Sequence, residues 1–225
     1  VMLEEKDGRW VPGRTLRASD FAGQLNHENN ADWKPVVMDS DSQKVVVPNG
    51  TIGARWGDQG KWNLEEKNQH DGSDITPVLS FLDQSDEVLP VAFPYFGNQE
   101  HDQQIFAHSN HDSILERKVP VKILELAGSS VKVVTIFDLM LANYGLDRGL
   151  GDENVASSYD DDIPYTPAWQ EQITGVKREQ IIQVAREFAE TADKTRGRSM
   201  VILGAAINHW YNMDMTYRGI MNMLI

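Results

Sequence analysis

The sequence predicts an α/β protein with a strand-rich, loop-rich amino-terminal half and a helix–strand–loop–helix carboxyl-terminal part. Short apolar runs bounded by Gly, Pro or Asn recur before residue 115, which is typical of strands. Residues 119–134 alternate apolar and polar side chains around a Gly turn, and this pattern indicates a β-hairpin. After residue 159, apolar residues recur at helical spacing. Hydrophobic residues make up 40% of the 225 positions, a proportion typical of a globular protein.

The amino-terminal elements are short and separated by polar turns. The hairpin is predicted from two alternating segments, residues 119–126 and 131–134, joined through Gly128. A short helix is predicted over residues 135–142, ending near Gly145. Before the hairpin, apolar runs predict three strands, at residues 44–47, 78–82 and 91–93.

The carboxyl-terminal elements carry clear helix boundaries. Thr166 is a predicted cap, Pro167 the first helical residue and Gly175 the stop, in agreement with the positional preferences of Thr, Pro and Gly. A second helix is predicted over residues 177–191, with one apolar face. The apolar run at residues 199–203 predicts a buried strand, and Asn212 the cap of a last helix.

These elements divide the chain into three predicted regions. Residues 1–115 form a loop- and strand-rich insert, and residues 116–158 form the hairpin and the short helix. Residues 159–225 form a helical segment and the start of an α/β unit that binds a cofactor. Because the chain begins with Val1 rather than Met and ends in an apolar run, we expect it to be a segment of a longer protein.

Charge and cysteine content exclude several function classes. Asp and Glu outnumber Lys and Arg by 34 to 21, giving a net charge of −13, which argues against binding to nucleic acid or to an anionic membrane surface. The absence of Cys excludes disulfides, thiolate metal ligands and thiol nucleophiles from these residues. No apolar stretch approaches the roughly 18 residues that a membrane-spanning helix needs.

Small residues after the predicted strand suggest a cofactor site. Gly204, Ala205 and Ala206 would let backbone N–H groups approach a phosphate at the end of a strand, although such residues are also common in ordinary packing. A run of side chains with hydrogen-bonding groups follows. His209 in this run can hold an oxyanion or carry a proton, or the run can simply cap the last helix. The run consists of Asn208, His209, Trp210, Tyr211 and Asn212.

Three other patterns favour an ordinary structural interpretation over a ligand-binding one. The imidazoles of His101, His108 and His111 are of a type that binds Zn²⁺, but they lie in a polar loop that lacks the rigidity of a metal site. The acidic run 160–162 could bind Mg²⁺, but acidic runs before a helix are usually solvated. Residues 53–63, rich in Gly and Trp, could stack on a flat ring, but are more typical of a turned loop. No metal ligand is therefore assigned.

Several segments together resemble the molybdopterin oxidoreductases. More narrowly, the chain resembles the catalytic alpha subunits of membrane-bound respiratory nitrate reductases. The segment 165–176, followed by 185–189, resembles the helical part that precedes a strand and a Gly-led loop in this family. The segments that carry the narrower resemblance are 1–5, 48–53, 55–57, 60–64, 93–97, 142–145, 148–150, 158–161, 197–200, 208–211 and 217–219.

The resemblance implies that all three regions belong to one molybdopterin oxidoreductase domain. It implies reduction of nitrate to nitrite with electrons from quinol, at a molybdenum bis-(molybdopterin guanine dinucleotide) centre, in a subunit that also holds a 4Fe-4S cluster. It implies an iron–sulfur beta subunit, a haem-containing membrane gamma subunit, and a peripheral location on the cytoplasmic face of the cell membrane. The family's cluster motif and its aspartate ligand to molybdenum precede Val1, so this chain alone is expected to be inactive.

The site residues are predicted from the small-residue loop and the polar run after it, and two alternatives to the function remain. His209 is the expected catalytic residue, and the residues expected to contact the cofactor are Gly204, Ala205, Ala206, Asn208, His209, Trp210 and Tyr211. The first alternative is a related enzyme that acts on another oxyanion or oxidises nitrite. The second is a non-catalytic acidic module that binds metal through its His/Asp loop.

Overall fold

The chain forms two compact units, residues 1–175 and residues 176–225. A computed structural model describes residues 1–21, 25, 34–48, 67–95, 113–126 and 128–224. The two units have different internal organisation, so each is described by itself. The larger unit contains the strands and the smaller unit is helical.

The larger unit is built around a five-stranded sheet in the order β1-β2-β5-β6-β7. Neighbouring strands are antiparallel except β2 and β5, which pair in parallel through Trp10 and Val91. The short strands β3 and β4 form a separate antiparallel pair. The strands are Leu3–Lys6 (β1), Arg9–Pro12 (β2), Val37–Met38 (β3), Val45–Val46 (β4), Glu87–Tyr95 (β5), Ser113–Leu126 (β6) and Ser129–Val133 (β7).

Buried apolar side chains form two clusters in this unit. Both clusters draw on β6 or β7, so the predicted hairpin is the element that joins them. Each fully buried Val removes enough apolar surface from water to stabilise the fold by about 1.5–3 kcal/mol before entropy is counted. The first cluster is Leu3, Val91, Phe93, Val119, Val121, Val134 and Ala142. The second is Leu16, Met38, Phe81, Leu126 and Val133.

Two helices of the larger unit begin at the residues that the sequence indicates. The first, α1, spans Ile136–Asn143, and the Thr135 hydroxyl accepts a hydrogen bond from the Asp138 N–H at 2.9 Å. The second, α2, spans Pro167–Thr174, and Thr166 Oγ1 accepts from the Trp169 N–H at 3.1 Å. Gly175 ends α2 in the left-handed conformation, with φ of 72°. The predicted caps at Thr166 and Gly175 are therefore confirmed.

The smaller unit contains α3 (Arg178–Thr195), α4 (Ala205–Asn208) and α5 (Met213–Asn222). The helix predicted over residues 177–191 is confirmed and extends four residues further. The last helix starts after Asn212 as predicted, although the Asn212 side chain makes no capping hydrogen bond. None of the described residues between 176 and 224 is buried. No helix in the described part of the chain is long and apolar enough to cross a membrane.

Two predicted strands are wrong. Residues 199–203 are not a strand, and Ile202 is 85% exposed. A strand needs a hydrogen-bonded neighbour, and the described residues of the smaller unit offer none. Residues 78–82 are likewise irregular and lead into a 3₁₀ turn, Leu82–Gln84. Side-chain oxygens of Asp138 and Ser80 accept the N–H groups of Phe81 and Leu82, which therefore cannot join a ladder.

Candidate functional site

The predicted site residues lie together around the short helix α4 of the smaller unit. Gly204 precedes this helix in an extended conformation, with φ of −114° and ψ of 176°. Its carbonyl accepts from the Ile207 N–H at 3.3 Å, which closes the single turn. Ala205 and Ala206 open the helix and Asn208 ends it. The contact of these residues with a cofactor stays a prediction.

Open space surrounds the small residues. A Cβ atom added at Gly204 would meet no heavy atom within 4 Å, and Ala205 and Ala206 are both exposed. No described part of the chain therefore requires a glycine at this position. The backbone here is accessible to a group that approaches from outside, which is the property that the sequence prediction invoked.

The polar residues from Asn208, the last residue of α4, to Tyr211 form an exposed row. Tyr217 donates a hydrogen bond from its hydroxyl to Asn208 Oδ1, which ties α4 to α5. His209 follows α4 directly and is exposed, and the side chains of Trp210 and Tyr211 are 74% and 95% exposed. The row thus presents an imidazole, an indole N–H and a phenol hydroxyl to the surroundings of the smaller unit.

The charge near this row differs from that of the whole chain. Residues 199–224 contain one acidic residue, Asp214, and one basic residue, Arg218, whereas the whole chain carries −13. An anion that approaches the row therefore meets donors without a local excess of carboxylates. Such a surface is suited to an anionic ligand in an otherwise acidic protein.

The acidic run at residues 160–162 has a local structural role. The Asp161 carboxylate accepts hydrogen bonds from the Ser157 N–H, the Ser157 hydroxyl and the Ser158 N–H, at 2.8, 3.0 and 3.0 Å. These bonds stabilise the ionised form and lower the pKa of Asp161. The part of the chain that the structure describes contains no group of three His, Asp or Glu side chains that could hold a metal. The loop with His101, His108 and His111 and the segment 53–63 lie outside the described residues.

A buried ion pair in the larger unit was not predicted from the sequence. The Asp138 carboxylate is fully buried in α1 and accepts from Arg148 Nη1 at 2.6 Å and from the Ser80 hydroxyl at 2.7 Å. Its other oxygen accepts from the Phe81 N–H at 2.9 Å and the Thr135 hydroxyl at 2.8 Å. Four donors therefore surround one carboxylate and fasten three segments of chain. The one local signal is the spacing of Thr135 and Asp138, which is that of a capping box.

Arg117 is a second buried charge that the sequence analysis missed. Its Nε donates to the Asn154 carbonyl at 2.7 Å, and its Nη1 to the Ala142 and Asn143 carbonyls at 3.1 and 2.7 Å. Its Nη2 donates to the Pro164 carbonyl at 3.2 Å. Burial lowers the pKa of Arg117, but a guanidinium stays charged in a protein. The negative end of the α1 dipole, at Ala142 and Asn143, favours this cation.

Comparison with known proteins supports a single family. No protein-family model matches the chain. The chain is 54% identical over 228 residues to the respiratory nitrate reductase 1 alpha chain of Escherichia coli strain K12, covering all of this chain and 18% of that protein. It is 44% identical over 225 residues to the nitrate reductase alpha chain of Bacillus subtilis strain 168, again over the whole chain and 17% of that protein.

A more distant relative is named for a different oxyanion. The perchlorate reductase subunit alpha of Dechloromonas aromatica strain RCB is 25% identical over 205 residues, which is 91% of this chain and 16% of that protein. The two alignments with nitrate reductase alpha chains cover the whole of this chain. The chain therefore matches part of the nitrate reductase alpha chains over its whole length, and it spans about 18% of the length of the Escherichia coli relative.

Proposed function

We propose that this chain contributes the exposed row around α4 to the catalytic subunit of an enzyme that reduces nitrate to nitrite. The observation that supports this function most strongly is the 54% identity over the whole chain to a respiratory nitrate reductase alpha chain. The geometry agrees with an anionic substrate, because the row Asn208–Tyr211 is exposed, rich in donors and free of the acidic excess found elsewhere in the chain.

The residues present fit a molybdenum bis-(molybdopterin guanine dinucleotide) cofactor in their chemistry. The open space beside Gly204 admits a close backbone approach, and Trp210 and Tyr211 offer flat rings and hydrogen-bond donors to a nucleotide. Gly204, Ala205, Ala206, Asn208, Trp210 and Tyr211 would hold this group. When bound, it supplies the two electrons of the reaction. The 4Fe-4S cluster of the proposed subunit has no ligand among the residues that we assign.

His209 is the residue that we assign to catalysis. Reduction of nitrate to nitrite removes one oxygen, consumes two electrons and two protons, and releases water. An imidazole is the side chain best suited to hold an oxyanion and deliver a proton near neutral pH. The exposed position of His209 directly after α4 lets its ring reach a substrate that lies beside the same row.

The partners and the location belong to the same proposal. The name "alpha chain" of the relatives supports an enzyme with several subunits. We assign an iron–sulfur beta subunit and a haem-containing membrane gamma subunit that passes electrons from quinol. With these partners, the protein would lie peripherally on the cytoplasmic face of the membrane.

A second candidate substrate is another oxyanion. The 25% identity to a perchlorate reductase subunit alpha supports a common segment in enzymes that act on different oxyanions. Nitrate remains the favoured substrate because the identity to the nitrate reductases is about twice as high. Turnover of the purified enzyme with nitrate, chlorate and perchlorate, in parallel, decides between the candidates.

The assignment of His209 is tested in the assembled enzyme. His209→Ala should lower nitrate turnover with a chemical reductant by about 10²-fold, which is the lower range for a lost acid–base or oxyanion group. The amount of folded enzyme should stay normal because an exposed side chain contributes little packing. His70→Ala is the matched control, since His70 is also exposed but lies in the larger unit. Normal turnover in His209→Ala would contradict the assignment.

The cofactor contact is tested separately through the molybdenum content. Gly204→Val adds a branched side chain at a position where an added Cβ meets no described heavy atom within 4 Å. If the cofactor approaches the backbone here, molybdenum occupancy and turnover should fall together. Gly219→Ala is the control, because a Cβ at Gly219 also meets nothing within 4 Å. Full occupancy and full turnover in Gly204→Val would show that the cofactor lies elsewhere.

A further inference from the structure

A cleft of about 540 Å³ opens on the surface of the larger unit, and all of its lining residues belong to that unit. Its walls are residues 144–147, which follow α1, and residues 156–159, and its third side is residues 165–167 at the start of α2. The Ala156 N–H donates to the Gly145 carbonyl at 3.2 Å, and Leu146 and Ala156 form a parallel bridge. The two walls are therefore joined and the cleft is formed in advance.

Aromatic and apolar side chains line this cleft. The rings of Tyr144 and Tyr165 meet edge to face at 5.9 Å, and Tyr165 also contacts the Trp169 ring at 5.1 Å. Tyr165 has φ of 77°, a conformation that a bulky residue adopts only when its surroundings enforce it. At the rim, Tyr159 and Leu146 are 53% and 51% exposed. Rigid tyrosines beside exposed apolar residues are typical of protein-binding hot spots.

The charged residues in the segment around the cleft are mostly acidic, and the buried Arg117 guanidinium lies behind the lining residue Gly145. Asp147 is an exposed residue of the lining. The only cation between residues 147 and 162 is Arg148, and its guanidinium is paired with the buried Asp138. The acidic residues of this segment are Asp147, Asp152, Glu153, Asp160, Asp161 and Asp162. Carboxylates beside tyrosine rings favour a cationic side chain, because both attract positive charge.

The shape of the cleft favours a polypeptide over a small molecule. Small ligands are usually bound in sites that bury most of their surface, whereas this cleft is broad and has exposed rim residues. Its acidity opposes phosphate groups, and therefore nucleic acids and anionic membranes. A polypeptide segment can place one long basic side chain in the cleft and cover the rim with its neighbours.

We propose that this cleft docks a Lys- or Arg-bearing segment of another subunit of the assembled enzyme. The cationic head lies between the Tyr159 ring and the Asp147 carboxylate, and an apolar neighbour covers Leu146. The proposal rests on the proposed function, because it requires the alpha chain to work with partner subunits. It adds the surface and the chemistry of one contact between them.

Site-specific photo-cross-linking in the assembled enzyme tests the docking. A photoreactive phenylalanine analogue replaces Tyr159, and the control places it at Ile136, which is 67% exposed and outside the cleft. We expect the analogue at position 159 to cross-link to another subunit, in a peptide that contains Lys or Arg. The absence of a cross-link, a cross-link within the alpha chain, or a partner peptide without a basic residue would overturn the proposal.

Charge variants of Asp147 measure the electrostatic contribution to the proposed docking. Asp147 Oδ1 accepts from the Gly149 N–H, and Asp147→Asn retains an oxygen for this bond while removing the charge. We expect Asp147→Asn to lower the cross-link yield about two- to fivefold, and Asp147→Lys about tenfold or more. Equal yields in all three proteins would overturn the charge complementarity on which the docking depends.

Nitrate turnover with a chemical reductant is measured on the same samples. Normal turnover without the cross-link would leave the proposed function intact and overturn the docking. A specific cross-link in an enzyme without nitrate turnover would support the docking and overturn the proposed function. The two proposals therefore fail in distinguishable ways.

Discussion

The two units of this chain differ in where their apolar side chains lie. The larger unit buries valines completely, including Val91, Val119 and Val121, and it also encloses the charges of Asp138 and Arg117. The smaller unit has amphipathic helices but no buried residue among its described positions. In a helical protein most stability comes from packing of the apolar face. The larger unit therefore carries its own stabilising contacts, whereas the helices of the smaller unit depend on propensity and local hydrogen bonds.

The largest expected effect comes from breaking the buried ion pair of the larger unit. Asp138→Ala leaves the Arg148 guanidinium without its carboxylate and removes the acceptor for Ser80, Phe81 and Thr135. Loss of one partner of a buried pair costs about 3–5 kcal/mol, so the free energy of unfolding in urea should fall by that amount. The double variant Asp138→Leu/Arg148→Met should recover part of the loss. A single variant whose free energy of unfolding stays within about 0.5 kcal/mol of the parent, the range typical of surface substitutions, would show that the network contributes little.

The second-largest effect on stability is expected at Gly145, which lies close to the buried Arg117 guanidinium. Gly145 has φ of 73°, and a Cβ added there would lie 2.6 Å from Arg117 Nη2. Gly145→Ala must displace the buried guanidinium as well as strain the backbone, so we expect a loss of about 2–3 kcal/mol in urea unfolding. Gly149 also has φ of 73°, but a Cβ there meets nothing within 4 Å. Gly149→Ala should therefore cost only about 1 kcal/mol, and equal losses in both variants would contradict the role of Arg117.

These two predictions rest on contacts that the sequence could not indicate. The Thr166 and Gly175 caps were predictable because a cap is defined by residues within one helical turn. The hydrogen bond from Ser80 to Asp138 spans 58 positions, and that from Arg148 to Ser80 spans 68. No periodicity or local spacing encodes such a pair. Burial of the charge follows from the tertiary arrangement of three segments.

The incorrect prediction of a strand at residues 199–203 shows a second limit of prediction from sequence. The composition of this run predicted burial, but Ile202 is 85% exposed, and a strand exists only with a neighbour. The candidate site shares this limit. The sequence could predict that small residues and donors from Gly204 to Tyr211 occur together, and they do lie around one helical turn. Their relation to a substrate depends on groups that the sequence pattern does not specify.

A pH dependence confined to the larger unit is expected from Asp39. Its carboxylate accepts hydrogen bonds from the Ser42 hydroxyl, the Thr76 N–H and the Ser42 N–H, which lower its pKa to about 2. Because this pKa lies below that of the unfolded chain, about 3.9, Asp39 stabilises the fold above pH 4. This contribution is lost as the pH falls through about 2. The stability difference between the parent and Asp39→Asn in urea should therefore narrow below about pH 4, and a constant difference would contradict it.

The smallest effect is expected in the smaller unit, and it tests the comparison most directly. Phe188 lies on the apolar face of α3 but is only partly buried, and Ala is the better helix former by about 0.5 kcal/mol. Phe188→Ala should therefore change the exchange free energy of amides in residues 178–195 by less than about 0.5 kcal/mol. Val119→Ala is the control, since Val119 is fully buried in β6, and it should lower the protection of residues 113–126 by about 2 kcal/mol. Hydrogen exchange with peptide-level mass spectrometry reads both segments in one experiment. A loss of about 2 kcal/mol in α3 would mean that its apolar face is packed in the 225-residue chain, and the contrast between the two units would then be wrong.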